Sequence, residues 1–289
     1  MADRLAAVIS RAAAVLVDAG IDRAKSEVEL ILCHILGVDR LDLYLRGEAA
    51  LTEDILGQLQ GIIKRRAERY PLQYILGESW FYGRKFHVSP AVMVPTPETE
   101  LLCETAIGFV HEKGLPQPRV LDVGVGSGVI AVTVAAELDE CEVLAIDCSP
   151  DAIDITHHNA EELGVGDKIE FRQSDFFAEI HPDEKFNLIL SNPPYISDSE
   201  YESLPPEVLA DPKTALLAGE DGLDAIRVIL RDAPDYLAED GLIMFEIGYR
   251  QADRVVKLTE TDDRYRSIVI LRDLNDIDRV VALGCNGRD

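Results

Sequence analysis

Cysteine, basic charge and long apolar runs are all scarce in this chain of 289 residues. The five cysteines, Cys33, Cys103, Cys141, Cys148 and Cys285, include no CxxC pair. An odd number without that spacing argues against a zinc knuckle or a disulfide framework and predicts free thiols in a reducing, cytoplasmic setting. Among the six histidines only His157 and His158 are adjacent. Neighbours on a helix point about 100° apart, so they would not share a metal, and no metal site is expected. No uncharged stretch approaches the roughly 18 apolar residues of a membrane span. The opening "MADRLAAVISRAAAVLVDAG" carries Asp3, Arg4, Arg11 and Asp18. It reads as an amphipathic helix, because a signal peptide needs an unbroken apolar core.

Basic charge is scarce in one part of the chain only. Lys and Arg number 28 against 53 Asp and Glu, a net charge of −25. Residues 1–90 hold 12 of each sign, which leaves 16 against 41 for the remainder. A domain this acidic is a poor generic binder of phosphate backbones, where counterion release rewards Lys and Arg. Nucleic acid is therefore disfavoured as the substrate.

What is present divides in two. Over the first seventy residues apolar side chains recur at helical spacing, as in Leu5, Val8, Ile9, Ala12 and Leu16. Gly20 and Gly37 are candidate helix stops, and Thr52 is a candidate N-cap before a face of Ile55, Leu59, Ile62 and Ile63. This predicts a small helical bundle over 1–73. Lys64, Arg65, Arg66 and Arg69 form the densest basic cluster and are expected to be a solvated helix end, with a partner-binding face as the alternative. A linker over 74–95 follows, with a hairpin pairing Trp80–Tyr82 with Lys85–Val88. Thr96 then reads as an N-cap with Pro97 at the first helical position.

The third segment, 96–289, alternates strand and helix. "RVLDVG", "EVLAID", "KIEFRQSD", "FNLILSN", "GLIMFEIG", "SIVILRD" and "RVVAL" are the strand candidates. They predict an α/β sheet covered on both faces, with ligands at the carboxyl ends of its strands. Only "LNDID" separates the last two, too short for a parallel crossover, so one of them should run antiparallel.

The chemistry gathers at those strand ends. In "VLDVGVGSGVIAV" a strand meets a glycine turn at the start of a helix, where backbone can approach a ligand closely and the helix end is electropositive. The spacing of Gly124, Gly126 and Gly128 is GxGxG. A dinucleotide fingerprint would need its third glycine at 129, where Val129 stands. GxGxG is the form found in S-adenosylmethionine-dependent methyltransferases. Asp147, ending the next strand, can accept both hydroxyls of a ribose. Ser149 and Pro150 already cap the following helix, so Asp147 is not needed for that. Asp175 can accept from an adenine amino group, and Phe176 can flank the ring. At the end of the fourth strand stands "SNPPYIS". Two prolines make a rigid exit from a strand. They would fix the directions of the Asn192 side-chain oxygen and the Pro193 carbonyl, two acceptors for the N–H groups of a planar amide or aryl amine. Tyr195 would cover the planar face. Such a nitrogen has a delocalised lone pair, and orienting it toward an electrophilic methyl group is the help that a pocket can give.

The chain resembles, over nearly its whole length, the protein-(glutamine-N(5)) methyltransferases of peptide chain release factors, the HemK/PrmC family. The matching stretches are "PLQYILG", "FYGRKFHV", "VPTPETELL", "LDVGVGSG", "AIDCSP", "SNPPYI", "LLAGEDGLD", "FEIGYRQ" and "DLNDIDRVV". The resemblance implies a Rossmann-like class I methyltransferase sheet, mostly parallel with one antiparallel strand, behind the helical bundle and hairpin linker. It implies that Gly124, Val125, Gly126, Ser127, Gly128, Asp147, Asp175, Phe176 and Asn192 hold S-adenosyl-L-methionine. It further implies that Asn192, Pro193, Pro194 and Tyr195 bind the glutamine of a Gly-Gly-Gln loop, with Asn192, Pro193 and Tyr195 catalytic. The bundle is expected to contact the release factor elsewhere, and the enzyme to be a monomer. Thr96 replaces a usual arginine, Val125 a common threonine and Phe176 a frequent tryptophan. The Asn-Pro-Pro-Tyr motif alone is shared with nucleic-acid adenine methyltransferases, so an adenine amino group in RNA or DNA is the competing substrate.

Overall fold

The computed structural model describes residues 4–45 and 51–285; Asp3, read above among the charges of the first helix, lies outside them. The fold divides into two compact units. One comprises Met1–Glu78 together with Pro205–Ala210, the other Ser79–Leu204 with Asp211–Asp289.

In the first unit α1 (Leu5–Asp18), α2 (Ala24–Leu36), α3 (Arg40–Leu45), α4 (Glu53–Ala67) and α5 (Leu72–Leu76) surround a core of their own. Leu16, Val28, Ile31 and Leu32 are fully buried in it. The expected stops and cap are in place: Gly20 and Gly37 have positive φ, and the Thr52 hydroxyl accepts from Ile55 N at 3.4 Å. The basic cluster departs from expectation. Arg66 is 6% exposed, donates through Nε to Glu27 at 2.7 Å and through Nη1 to Glu207 at 2.8 Å. Arg69 also donates to Glu207, at 2.9 Å, and to the Gly20 carbonyl. Of the four cations Arg66 is therefore buried and Arg69 half-buried, both in ion pairs within the unit. They hold the sequence-remote segment Pro205–Ala210 in this unit, a contact no local pattern could announce. Burial alone would raise the Glu207 carboxyl, yet hydrogen bonds from Arg69 and Arg66 keep it below the ordinary range.

A hairpin of β1 (Glu78–Phe81) and β2 (Arg84–His87), in the second unit from Ser79 onward, precedes the sheet. It sits slightly earlier than expected, because Tyr82 and Gly83 both adopt positive φ and form the turn. The seven-stranded sheet comprises β3 (Arg119–Val123), β4 (Glu142–Asp147), β5 (Ile169–Gln173), β6 (Phe186–Ser191), β7 (Leu237–Glu246), β8 (Tyr265–Arg272) and β9 (Asp278–Cys285). Its order is β5-β4-β3-β6-β7-β9-β8. Neighbours from β5 to β7 pair in parallel, and β9 runs antiparallel to both β7 and β8. The expected single antiparallel strand is thus β9. Helices α6 (Glu100–Lys113), α7 (Val129–Glu137) and α8 (Pro150–Glu162) pack on one face. After two short turns, α9 (Asp198–Tyr201) and α10 (Lys213–Leu216), helices α11 (Asp224–Asp232) and α12 (Ala252–Thr259) cover the other. The strand order reverses beside β3, with β4 on one side and β6 on the other. That is the switch point where a doubly wound sheet opens a crevice at its carboxyl edge. Among the described residues no helix is long and apolar enough to cross a membrane.

Candidate active site

A cleft opens at this switch point, lined by the loops that leave β3, β4, β5 and β6. The glycine turn after β3 forms its floor. Gly124, Gly126 and Gly128 all have positive φ, a conformation that favours glycine. At Gly128 a side chain is also excluded by packing, because a Cβ would lie 2.6 Å from Thr156 Cγ2. At Gly126 a Cβ would meet nothing within 4 Å. The turn is tied down from behind: Thr156 donates to the Gly126 carbonyl at 3.1 Å, and Asn159 to the Ser127 carbonyl at 2.8 Å.

Asp147, at the end of β4, braces the turn. Its Oδ2 accepts from Gly126 N at 3.0 Å and its Oδ1 from Ser149 N at 2.9 Å. Ser149 does cap α8, accepting from Ala152 N, but Asp147 has an architectural role that the sequence reading did not give it. Each carboxylate oxygen has a further lone pair, so the brace leaves capacity toward the cleft. Asp175 and Phe176 line the same wall. Phe176 has φ 49°; Ser174 steadies this backbone by donating to the Phe176 carbonyl at 2.7 Å while accepting from Glu179 N. Below the floor, Asp122 is fully buried. Its Oδ2 accepts from Ala131 N at 3.0 Å, Oδ1 has no partner, and burial pushes its carboxyl up to about 7.

Facing this wall is the Asn-Pro-Pro-Tyr turn. Ser191 ties its start to β3, donating to the Val123 carbonyl at 2.7 Å. Asn192, Pro193 and Pro194 line the cleft. Asn192 Nδ2 donates to Thr99 Oγ1 at 3.0 Å, and Thr99 in turn donates to Glu246 Oε2 at 2.7 Å. The Tyr195 hydroxyl donates to Glu246 Oε1 at 3.4 Å. Gln251 Nε2 donates to the Tyr195 carbonyl at 2.9 Å and to the Gly222 carbonyl at 3.0 Å. Burial pushes the Glu246 carboxyl up to about 7 and raises the Tyr195 phenol above its usual value.

The structure therefore brings together Gly124, Val125, Gly126, Ser127, Asp147, Asp175, Phe176, Asn192, Pro193 and Pro194 on one cleft. Gly128 caps the turn beneath it, and Tyr195 lies behind the proline turn, hydrogen-bonded to Glu246. Thr99, Glu246 and Gln251 were missed as functional candidates. All three lie in stretches that carry the family resemblance, "VPTPETELL" and "FEIGYRQ", in which the sequence suggests only a helix start at Thr96 and Pro97. The expected cap is also corrected. Pro97–Thr99 is a 3-10 turn ahead of α6, and Thr96 makes no side-chain cap bond. Residues Ala91, Met93 and Pro95, read as linker, and Pro212, Thr214 and Ala215 also line the cleft. Among the described residues no cluster of metal-ligating side chains occurs.

Comparison with known proteins gives a consistent picture. Residues 7–77 match the PrmC N-terminal domain family, and residues 107–219 the methyltransferase small domain family. A protein of Geobacter sulfurreducens named release factor glutamine methyltransferase is 38% identical, the match covering 92% of each chain. One of the same name from Cereibacter sphaeroides is 40% identical over 97% of each. Among solved structures, the hMettl16 catalytic domain in complex with a MAT2A 3′UTR hairpin has a TM-score of 0.55 at 16% identity, covering 77% of this chain and 81% of that one. The T. thermophilus 16S rRNA N2 G1207 methyltransferase in complex with AdoMet and guanosine has a TM-score of 0.54 at 17% identity, covering 72% and 50%. At such identities the likeness is one of fold.

Proposed function

The chain belongs to the release factor glutamine methyltransferases, and from that membership we infer how its cleft holds the two reactants. It is a protein-glutamine N-methyltransferase. We assign it S-adenosyl-L-methionine as methyl donor and, as acceptor, the side-chain amide nitrogen of the glutamine in a Gly-Gly-Gln segment of peptide chain release factors.

The glycine wall fits the donor. At Gly126 the space a Cβ would occupy is open, so a ligand can lie against the backbone there, close to the amino end of α7. Asp147 would take the ribose hydroxyls with the lone pairs that its brace leaves unused. Asp175 and Phe176 would meet the adenine, the aromatic ring stacking as a tryptophan would. When bound, the donor supplies a methyl group that is already electrophilic, being carried on a sulfonium. What remains for the protein is to orient the nitrogen.

Asn192, which the resemblance also names among the donor's contacts, we assign to this role on the acceptor side, supported by one observation above the others: its NH2 is spent on Thr99. Oδ1 is then the end left for the cleft, and it would accept one N–H of the glutamine amide. The Pro193 carbonyl would accept the other. With both hydrogens held in plane, the nitrogen presents its lone pair toward the donor. Pro194 and Tyr195 stiffen and back the turn.

The helical unit we assign to recognition of the release factor away from its glutamine. It has a core of its own and a cavity of about 600 Å³ lined by Val8, Val15, Leu59 and Ile63, with Arg11 and Lys64 beside them. Binding energy from such remote contacts would be used to position the reacting group.

The test is to incubate the enzyme with labelled S-adenosylmethionine, a release factor and total RNA, and then to locate the label. It is expected on the side-chain nitrogen of the Gly-Gly-Gln glutamine. Label in RNA, with none on the protein, would overturn the assignment.

A further inference from the structure

Behind Asn192 runs a chain of hydrogen bonds whose direction is set at its buried end. An ionised carboxylate can only accept. Glu246, 1% exposed, takes the hydroxyl hydrogen of Thr99 at 2.7 Å and that of Tyr195 at 3.4 Å. Thr99, equally buried, has one hydrogen to give. With that hydrogen committed to Glu246, its oxygen can only accept. It faces two groups, the Asn192 side-chain nitrogen at 3.0 Å and, more weakly, the Thr96 hydroxyl at 3.4 Å, and with its own hydrogen committed it accepts from both. The two ends of an asparagine amide have nearly the same shape, so sterics alone choose weakly between them. Here the choice decides chemistry. A glutamine NH2 needs an acceptor, and an Asn192 turned the other way would meet it with a second NH2.

We propose that Thr99 and Glu246 are positioning residues that hold the Asn192 amide with Oδ1 toward the acceptor glutamine and NH2 away from it. This rests on the reading of Asn192 as the group that accepts the glutamine N–H.

The same chain predicts a pH dependence. Protonated Glu246 would itself be a donor to Thr99. The Thr99 hydroxyl could then turn its hydrogen toward Asn192, and the amide would no longer be held in one orientation. The groups that act on Glu246 are Glu98 and Thr99 on the 3-10 turn, Tyr195 behind the proline turn, Arg279 on β9 and Cys103 on α6. Arg279 favours the ionised form but is shared with Asp273, to which it donates at 2.9 Å. Burial outweighs it, and the Glu246 carboxyl titrates at about 7. Turnover should therefore rise with pH through that value; Asp122, the other buried carboxyl raised to about 7, bonds to Ala131 and has no place in this chain.

The experiment uses the full-length enzyme, an intact release factor and saturating S-adenosylmethionine. Single-turnover rates are measured between about pH 6 and pH 9, the range that brackets the limb, and cofactor affinity is measured by calorimetry. Thr99→Val should slow transfer about tenfold to a hundredfold, somewhat less than deleting a preorganised group outright, with cofactor affinity unchanged. Thr99→Ser, which keeps the hydroxyl, should restore most of the rate. Thr99→Val combined with Asn192→Ala should be no slower than Asn192→Ala alone, because both changes remove one interaction. Glu246→Gln offers a permanent acceptor to Thr99 and should flatten the pH profile. Should Thr99→Val not fold, the serine variant and the Glu246→Gln profile carry the test. A wild-type rate for Thr99→Val beside a slow Asn192→Ala would overturn the proposal and leave the reading of Asn192 standing. Fully additive losses would overturn it too, as would an unaltered pH limb in Glu246→Gln, which would move the titration to Asp122. A wild-type rate for Asn192→Ala would overturn the underlying reading instead.

Discussion

On the glycine wall of the cleft the groups that set its floor are mostly backbone, held in a turn of three glycines and braced by one carboxylate. On the facing wall they are side chains placed by other side chains, Asn192 by Thr99 and Thr99 by Glu246. The glycine turn of the first wall is local: strand, turn and helix are contiguous, and their geometry follows from glycine's freedom and the helix end. The second is assembled from three distant parts of the chain. A backbone wall tolerates side-chain change well where the side chain points away from the ligand, but not where it fills a packed gap. A side-chain wall fails at whichever link is cut. The two should therefore respond to mutation in different measurements, the glycine wall in donor affinity and the Asn192 wall in the rate of transfer.

The largest break is expected at Asn192. Removing it should cost about 2.7–4 kcal/mol, roughly 10²–10³ in kcat, as for deletion of a preorganised active-site group, while calorimetry shows donor affinity little changed. Asn192→Asp sharpens the point. Judged by acceptor reach alone, aspartate should outperform alanine. The structure reverses that expectation, since a carboxylate at 192 would turn a second acceptor toward Thr99, whose single hydrogen already goes to Glu246. Aspartate should be within a few-fold of alanine, in single-turnover measurements at about pH 8, above the limb assigned to Glu246.

Asp147 gives the next effect. Asp147→Asn keeps one acceptor but turns an NH2 toward a backbone N–H and removes the charge. Loss of a charge-assisted hydrogen-bond pair should weaken donor binding by about 1.5–3 kcal/mol, roughly tenfold or more. At saturating donor the rate should stay near that of the wild type. This substitution is a cleaner probe than alanine, which would also unbrace Gly126.

Smaller again, and different in kind, is the contrast between two glycines. Gly128→Ala forces a Cβ to within 2.6 Å of Thr156 Cγ2 at φ +83°. It should destabilise the fold by about 1–3 kcal/mol, the range for a side chain held in a disfavoured region, as read by thermal melting. Gly126→Ala has room for its Cβ. It should cost less stability and show its effect in donor affinity, because the methyl group occupies space facing the cleft.

How much could be read from the sequence follows the same division. The seven strands, the antiparallel exit and the glycine turn were legible because each is encoded in a few consecutive residues with a distinct period or spacing. Asn192 and its prolines were legible as a strand exit too rigid to be needed for a turn alone. Thr99 and Glu246 were not, because their bond joins residues 147 apart in sequence, and such a pair leaves no periodic trace. The one available signal was a glutamate inside the apolar run "LIMFEIG", a buried charge that must have a partner. Local rules point to Thr96 as a cap, whereas it is Thr99 whose hydroxyl is drawn into the core. Arg66 and Arg69 look like a solvated helix end in the sequence because Glu207, which pairs with both, lies far along the chain.

The most direct test of the two-wall account is to measure donor affinity and single-turnover rate on the same two variants, Asp147→Asn and Asn192→Ala, with an intact release factor as acceptor. A crossed result is expected: Asp147→Asn loses affinity and keeps its rate at saturating donor, and Asn192→Ala keeps affinity and loses rate. Parallel losses of both quantities in both variants would contradict it.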